Sequence, residues 1–387
     1  MSVELLRGAR GALERHPEPG AVRHLYVHLP FCAHRCGYCD FVTAVGRLEE
    51  HGAYVDALLA ELDAERWRLA ASLQTAFLGG GTPTFTEPEA LARVLRALRD
   101  VEELTVEANP ETVTPALAAL LRAHGVNRVS VGAQSFQLRL LEVLERVAGP
   151  DDVRRAVQTL RDAGFDNISL DLVYGIPGQS PSDLEADLAD ALALEPEHLS
   201  CYELEAKPGT RFTHAHGEEL QRQAEAMEGY FEQVVDTLTG SGYRWYETAN
   251  FCRETGDDRE LRARHNLGIW RGQDYLGVGV GAVSTLDGQR RRNLPSLRRY
   301  VDALGAGDEP PREVEPLDAR TRAVELLMLG LRLDEPLALD GLDPVVDRDA
   351  LARLVDGGLV ERIEGKIRLT SRGRLLGGGV TAELLAV

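Results

Sequence analysis

Cys32, Cys36 and Cys39 stand at C-x3-C-x2-C spacing in the stretch LYVHLPFCAHRCGYCDF, with no fourth cysteine beside them. Thiolates are the usual ligands of iron–sulfur clusters, and three of them on one tight loop can hold three irons of a four-iron cluster. The fourth iron is then open, which makes it a coordination site. A tetrahedral zinc site is the competing use of these residues, with His28 or His34 as fourth ligand; loop cysteines can also be plain buried hydrophobes. Further along, Gly79-Gly80-Gly81-Thr82-Pro83 follows a short apolar run. Consecutive glycines let backbone approach a ligand closely and present amides to it, although such a run also serves as an ordinary turn. Glu107 ends another apolar run, either as an acceptor for a cationic ligand or as a solvated carboxylate.

Rigid elements must bring these residues together. Apolar periodicity predicts helices over 49–69, 115–122, 151–162, 181–192 and 219–238, with a further one carrying Leu91, Val94, Leu95 and Leu98 on one face. Short strands are predicted over 75–78, 104–107, 128–131, 168–173, 199–202 and 244–247. Strands alternating with helices mean βαβ units and a parallel sheet. The fold class is therefore α/β, an incomplete (β/α)6 TIM-type barrel, whose site lies at the C-terminal ends of the strands. The cysteine loop follows the first strand and the glycines follow the second. Glu107 ends the third, Gln134 follows the fourth, and Asp171 lies late on the fifth.

With these motifs the chain resembles the oxygen-independent coproporphyrinogen III oxidase group of the radical S-adenosylmethionine (SAM) superfamily. The resemblance is carried by the cysteine loop, GGGTPT at 79–84, VEANP at 106–110, VGAQSF at 131–136 and LDLVYGIPGQ at 170–179. It implies a [4Fe-4S] cluster on Cys32, Cys36 and Cys39, SAM chelating the open iron, and a 5′-deoxyadenosyl radical formed when the cluster donates an electron. Tyr26, Tyr38, Gly80, Gly81, Thr82, Glu107, Gln134, Arg146 and Asp171 fall where that group contacts SAM, some of them a second SAM. Where the group has Leu-Gly-Arg-x-His, this chain has Leu144-Glu145-Arg146-Val147-Ala148, so only the arginine carries over.

The group has two branches. True oxidases carry a fourth cysteine two positions after the third and a longer N-terminal extension; here that position is Phe41, and about 25 residues precede the first strand. Cys-x-Tyr-Cys-Asp-Phe is similar to the other branch, which binds haem and hands it to client haemoproteins. That branch has a His-Asn-x-x-Tyr-Trp haem motif, against which this chain sets Arg264-His265-Asn266-Leu267-Gly268-Ile269-Trp270. The resemblance implies haem contacts at His265, Asn266 and Trp270, against the plain reading of His265 as a surface histidine in a loop. Ile269 replaces the tyrosine, and Val283 stands where relatives often have histidine. The implied function is haem delivery, with oxidative decarboxylation of porphyrinogen propionates as the alternative. Client haemoproteins, haem donors resembling bacterioferritin, and a homodimer belong to the same expectation.

Composition sets the outer bounds. The 387 residues carry Lys+Arg 43 against Asp+Glu 62, a net charge of −19, which disfavours general nucleic-acid binding. Cys201 and Cys252 are a poor basis for a disulfide scaffold, which points to a reducing cytosol. There is no apolar run of spanning length and no signal-peptide core, so a cytoplasmic protein is expected, meeting the inner membrane face only transiently during handover. The domain reading is an N-terminal tail over 1–22 (a loose tail or short amphipathic helix), a barrel over 23–255, a haem-motif segment and linker over 256–310, and a C-terminal domain over 311–387. In that last piece a helix over 321–333, a helix ending near Gly357-Gly358, two strands and the Leu-Thr-x-x-Gly-x-Leu-Leu pattern at 369–376 give a winged-helix-like α+β domain. Its Arg353, Arg362, Lys366, Arg368, Arg372 and Arg374 are locally basic, but acidic residues interrupt them, so a lid or docking role is expected.

Overall fold

The computed structural model describes residues 22–205, 207, 211–256 and 259–386. The expected N-terminal tail lies outside them except for Val22. Six parallel strands form the barrel wall: β1 (His24–Leu29), β2 (Leu73–Gly80), β3 (Val101–Ala108), β4 (Arg128–Gln134), β5 (Ile168–Tyr174) and β6 (His198–Glu203). On one side of each strand Leu25, Val27, Leu78, Val106, Val131, Leu170 and Leu199 enter the main hydrophobic core. On the other side the alternate residues Phe77, Glu107, Arg128, Ser130, Asp171, His198 and Ser200 line a cavity inside the barrel. The strand period of two thus separates an apolar outer layer, packed on helices, from a polar interior.

The helices outside the wall are α1 (His51–Glu65), α2 (Pro88–Ala97), α3 (Pro115–Ala123), α4 (Leu138–Val143), α5 (Pro150–Asp162) and α6 (Pro181–Ala193). Proline opens α2, α3, α5 and α6, where its fixed φ suits the first helical position and its missing N–H costs nothing. The helix expected over 219–238 is two helices, α7 (Arg211–Ala224) and α8 (Met227–Gly240), broken at residues 225–226. The break lets both grip one turn. Gln223 Nε2 donates to Ile176 O and Gln179 O, and Tyr230 Oη donates to Gln179 O at 2.7 Å.

Beyond α8 the chain departs from βα repetition. The strand expected over 244–247 is β7 (Tyr243–Glu247), which forms an antiparallel hairpin with β8 (Asn250–Arg253); β8 in turn pairs antiparallel with β6. The segment expected as motif and linker contains α9 (Arg264–Trp270) and then β9 (Tyr275–Val278), which runs parallel to β1. Three more antiparallel strands follow: β10 (Val283–Leu286), β11 (Gln289–Asn293) and β12 (Arg312–Pro316), the last two linked by α10 (Leu297–Gly305). Among the described residues the result is one twelve-stranded sheet, β12-β11-β10-β9-β1-β2-β3-β4-β5-β6-β8-β7. The sheet therefore runs past the expected 310/311 boundary. Glu61 of α1 fastens this extension: its buried carboxylate accepts from Gly279 N, Asn293 Nδ2 and Tyr300 Oη and pairs with Arg312.

The C-terminal domain has its own core, built on Leu327, Leu351, Leu354, Val360, Ile367 and Leu384. It comprises α11 (Ala319–Gly330), α12 (Arg348–Asp356), α13 (Ser371–Leu375), α14 (Gly377–Leu384) and a three-stranded sheet. Two of the strands, β14 (Val360–Ile363) and β15 (Lys366–Leu369), form a hairpin wing; the third, β13 (Leu337–Ala338), pairs with β15. Glu364 and Gly365 both have positive φ, as a two-residue turn matched to strand twist requires.

The domain is docked on the barrel by its own basic residues. Arg374 stacks 3.7 Å over the Trp245 ring and donates to Trp245 O at 2.6 Å, while Arg332 pairs with the buried Glu247 at 2.6 Å. Arg353 and Arg368 are paired to Glu383 and Glu361. Of the basic set read from the sequence, Arg353, Arg368 and Arg374 are thus spent within the molecule. Arg374→Ala should destabilise the docked state by about 2 kcal/mol, the value of a buried cation–π contact with its hydrogen bond. Urea unfolding, with faster proteolysis in the segment joining β12 to α11, checks it.

Candidate functional site

The barrel interior opens at the C-terminal strand ends into a cavity of about 590 Å³. Cys32, Cys36 and Cys39 line it from the loop after β1, a loop closed by short parallel pairing of Phe31–Cys32 with Ala44–Val45. All three are free of disulfides. Among the described residues no group of three or more His, Cys, Asp and Glu side chains is already gathered as a metal site. His28 is excluded as a fourth zinc ligand. Its Nε2–H donates to Val42 O at 2.8 Å, its Nδ1 accepts from Tyr26 Oη at 3.1 Å, and burial holds its pKa down at about 4. His34 is exposed at the rim.

The glycine run is a fitted surface. At Gly80 (φ +113°) a Cβ would lie 2.5 Å from the His28 ring, and at Gly81 one would lie 2.5 Å from Pro30 O. Only glycine lets β2 pass this close to the end of β1, which leaves Gly80, Gly81 and Thr82 bare to the cavity. Gly80 N donates to Glu107 Oε2 at 3.3 Å. Burial, with the nearby Asp171 charge second, pushes Glu107 up to about 7. Asp171 is raised as well, mainly by burial, and accepts from Ser130 Oγ at 3.1 Å. Gln134 holds a left-handed φ of 64° at a register shift in β4, the kind of strain that is retained where a side chain must be aimed.

Of the expected SAM contacts, Tyr38, Gly80, Gly81, Thr82, Glu107, Gln134, Arg146 and Asp171 all line this one cavity with the three cysteines. Tyr26 does not line it. It sits one layer down, stacked on Phe77 at 6.2 Å. The donor set suits the implied groups: three thiols for a cluster, a glycine cradle that a Cβ would fill, and acceptors for a cationic ligand. Among the described residues Arg128 Nε and Arg146 Nε are buried without partners, so the cavity also keeps unused donors.

The three residues expected at haem are not brought together there. Asn266 alone reaches the cavity. Trp270 packs in a separate cluster with Tyr246, Leu267 and Leu333. His265 is no surface histidine: it is 2% exposed, plugged into the barrel floor by α9 and stacked 5.3 Å from Phe77. The plug is held by Glu103, which accepts the N–H groups of Arg264 and His265, and by Gly268, where a Cβ would lie 2.7 Å from His24. His24 Nε2–H donates to Gln273 Oε1, so His24 Nδ1 accepts from Thr75 Oγ1, and Thr75 accepts from His265 Nδ1–H at 2.9 Å. That chain fixes the tautomer. His265 is neutral, pushed down to about 3 mainly by burial, and its Nε2 lone pair has no partner among the described residues.

The sequence reading missed Phe77, Asn109, Arg128, Ser130, His198, Ser200, Tyr202 and Asn250, all of which line the cavity. For Phe77, Ser130 and Ser200 the signal available was alternation: Phe77 lies two residues from Gly79, and Ser130 and Ser200 stand at the level of Glu107 and Asp171 on the neighbouring strands.

The profile of the Radical SAM superfamily matches residues 26–191, and that of the HemN C-terminal domain matches residues 317–376. The heme chaperone HemW of Bacillus subtilis is 33% identical, with 94% of this chain and 99% of that protein covered. The heme chaperone HemW of Mycobacterium tuberculosis is 34% identical over 95% and 96%, and that of Escherichia coli 33% identical over 91% and 95%. Among solved structures, the coproporphyrinogen III oxidase HemN of Escherichia coli superposes with a TM-score of 0.78 at 24% identity, covering 95% of this chain and 91% of that one, a likeness of fold.

Proposed function

The chain belongs to the HemW family of the radical SAM superfamily, and from that membership we propose that it is a haem chaperone, binding a [4Fe-4S] cluster and SAM in the barrel and delivering haem to client haemoproteins. The observation that carries this reading is the single cavity shared by three cysteines, the glycine cradle and Glu107. Cys32, Cys36 and Cys39 hold the cluster on this reading. Such a cluster supplies an open iron for SAM and one-electron chemistry. Gly80, Gly81 and Thr82 present backbone to the ligand, and Glu107 and Asp171 accept from its cationic groups. Phe41, 65% exposed beside Cys39, leaves the loop with three thiols and an apolar rim.

Haem is carried by the same reading. His265 has the tautomer of a metal ligand, with Nδ1–H fixed on Thr75 and Nε2 bare. Because the ring is 2% exposed, His265 would hold haem iron through Nε2 only if α9 moved away from the barrel floor. The test is an anaerobic haem titration of the cluster-loaded chain, followed by absorbance, beside His265→Ala. Near-stoichiometric binding that weakens at least about tenfold in the variant is the expected result. Weak, equal binding by both proteins, together with decarboxylation of coproporphyrinogen, would replace the chaperone by the oxidase reading.

A further inference from the structure

Thr82 Oγ1 lies 3.4 Å from Cys32 Sγ, and Arg146 Nη1 lies 3.6 Å from Cys36 Sγ. Asn109 stands between them. Its Oδ1 accepts from Arg146 Nη2 at 2.9 Å, and its Nδ2 donates to Thr82 Oγ1 at 3.0 Å. The direction of every bond follows from chemistry. A guanidinium only donates, so the amide must turn its oxygen to Arg146 and its nitrogen to Thr82. Thr82, accepting from Asn109, has its one proton left for sulfur. Arg146 is braced by Gly132 O at 2.9 Å, so its second nitrogen stays on Cys36.

We propose that Asn109 is a positioning residue in a hydrogen-bond relay, Cys36–Arg146–Asn109–Thr82–Cys32, that holds two donors on the cluster sulfurs and sets the cluster's reduction potential. The inference rests on the cluster assignment above and deepens it. Reduction adds one electron, and therefore negative charge, to the cluster and its sulfurs; donors aimed at those sulfurs stabilise the reduced form more than the oxidised form. The electron comes from an external low-potential donor. Within the relay no bond breaks and no proton leaves. Relay donors thus make the potential less negative than the cavity would otherwise give.

The experiment is a redox titration of the full chain, reconstituted anaerobically with iron and sulfide, poised with dithionite and followed by the paramagnetic resonance of the reduced cluster. SAM is omitted, because Thr82 also lies in its expected site. Thr82→Val should lower the ratio of reduced to oxidised cluster about tenfold at the wild-type midpoint, a shift of about 59 mV for a one-electron couple, to more negative potential. Thr82→Ser, which keeps the hydroxyl, should titrate like wild type. Asn109→Leu should shift in the same direction as Thr82→Val, and the double variant should shift less than the sum of the two, because both break one chain. Thr82→Val with full iron content and an unmoved midpoint overturns the relay, as does a Thr82→Ser shift equal to that of valine. Should Asn109→Leu fail to load, the valine–serine pair still decides. A wild-type chain that takes up no cluster would overturn the cluster assignment itself and the relay with it, which sets that failure apart from failure of the relay alone.

Discussion

Cys36→Ser should give a folded chain that holds no four-iron cluster and binds SAM at least about 100-fold more weakly than wild type. The fold should survive because the thiol takes only a long contact from Arg146 Nη1, at 3.6 Å, which a serine hydroxyl can also accept. The loop is closed by the backbone: Ala44 N on Pro30 O, Gly46 N on Cys32 O, Gly37 N on Leu144 O and Cys39 N on Cys36 O. Cys36 is only half-buried, and serine fills nearly the same space. The thermal midpoint of the metal-free variant should therefore stay within about 2 °C of metal-free wild type. SAM affinity should fall because the chelating iron is gone, leaving only the backbone cradle and the carboxylates. Iron and sulfide content, absorbance after reconstitution and calorimetric titration with SAM check the three parts. A variant that keeps full iron and its spectrum would mean that the triplet is not the ligand set.

Much of this site could be read in the sequence because its signals are local. The cysteine spacing, the glycines pressed against His28 and Pro30, and Glu107 at a strand end each announce themselves within a few residues. Barrel helices opened by proline and strands with apolar outer faces are local in the same sense. What could not be read depends on partners far along the chain. The antiparallel pairing of β8 with β7 and with β6 is set by where α8 returns the chain, and a mixed aromatic and charged pentapeptide such as YRWYE has no preference between parallel and antiparallel pairing. The burial of His265 depends on His24 and Thr75, 241 and 190 residues away, and RHNLGIW has the same composition as an exposed turn. Gly268 was the available clue, a glycine inside a helix where close approach to another chain segment is the commonest reason. Asn109 was in plain view inside VEANP, but its role is defined by Arg146 and Thr82 on other elements.

Glu107→Gln should make the ligand-free protein more stable and at the same time cripple SAM binding, and the opposite signs identify a carboxylate kept for function. In the cavity Glu107 titrates near 7 against an ordinary value of 4.5. Between those two pH values the folded chain holds a proton that the unfolded chain has released. Its contribution to stability is whole below pH 4.5, is lost as pH rises through 7, and is flat above. Glutamine imitates the protonated form and still accepts from Gly80 N. At pH 8 the variant should therefore be more stable by on the order of 2 kcal/mol, a value reduced from the full shift because the group borders an open cavity. The gain should vanish at pH 4.5, which urea melts at the two pH values would show. Binding runs the other way. A cationic amine and sulfonium need the ionised carboxylate, so wild-type SAM affinity should fall about tenfold per pH unit below 7 and level off above it. In Glu107→Gln that slope should disappear, leaving affinity at pH 8 about 100-fold below wild type. A variant as stable as wild type at pH 8 and with an unchanged pH profile of SAM affinity would show that another group accepts the ligand's charge, and Asp171, the other raised carboxylate on the cavity wall, would be the next to replace.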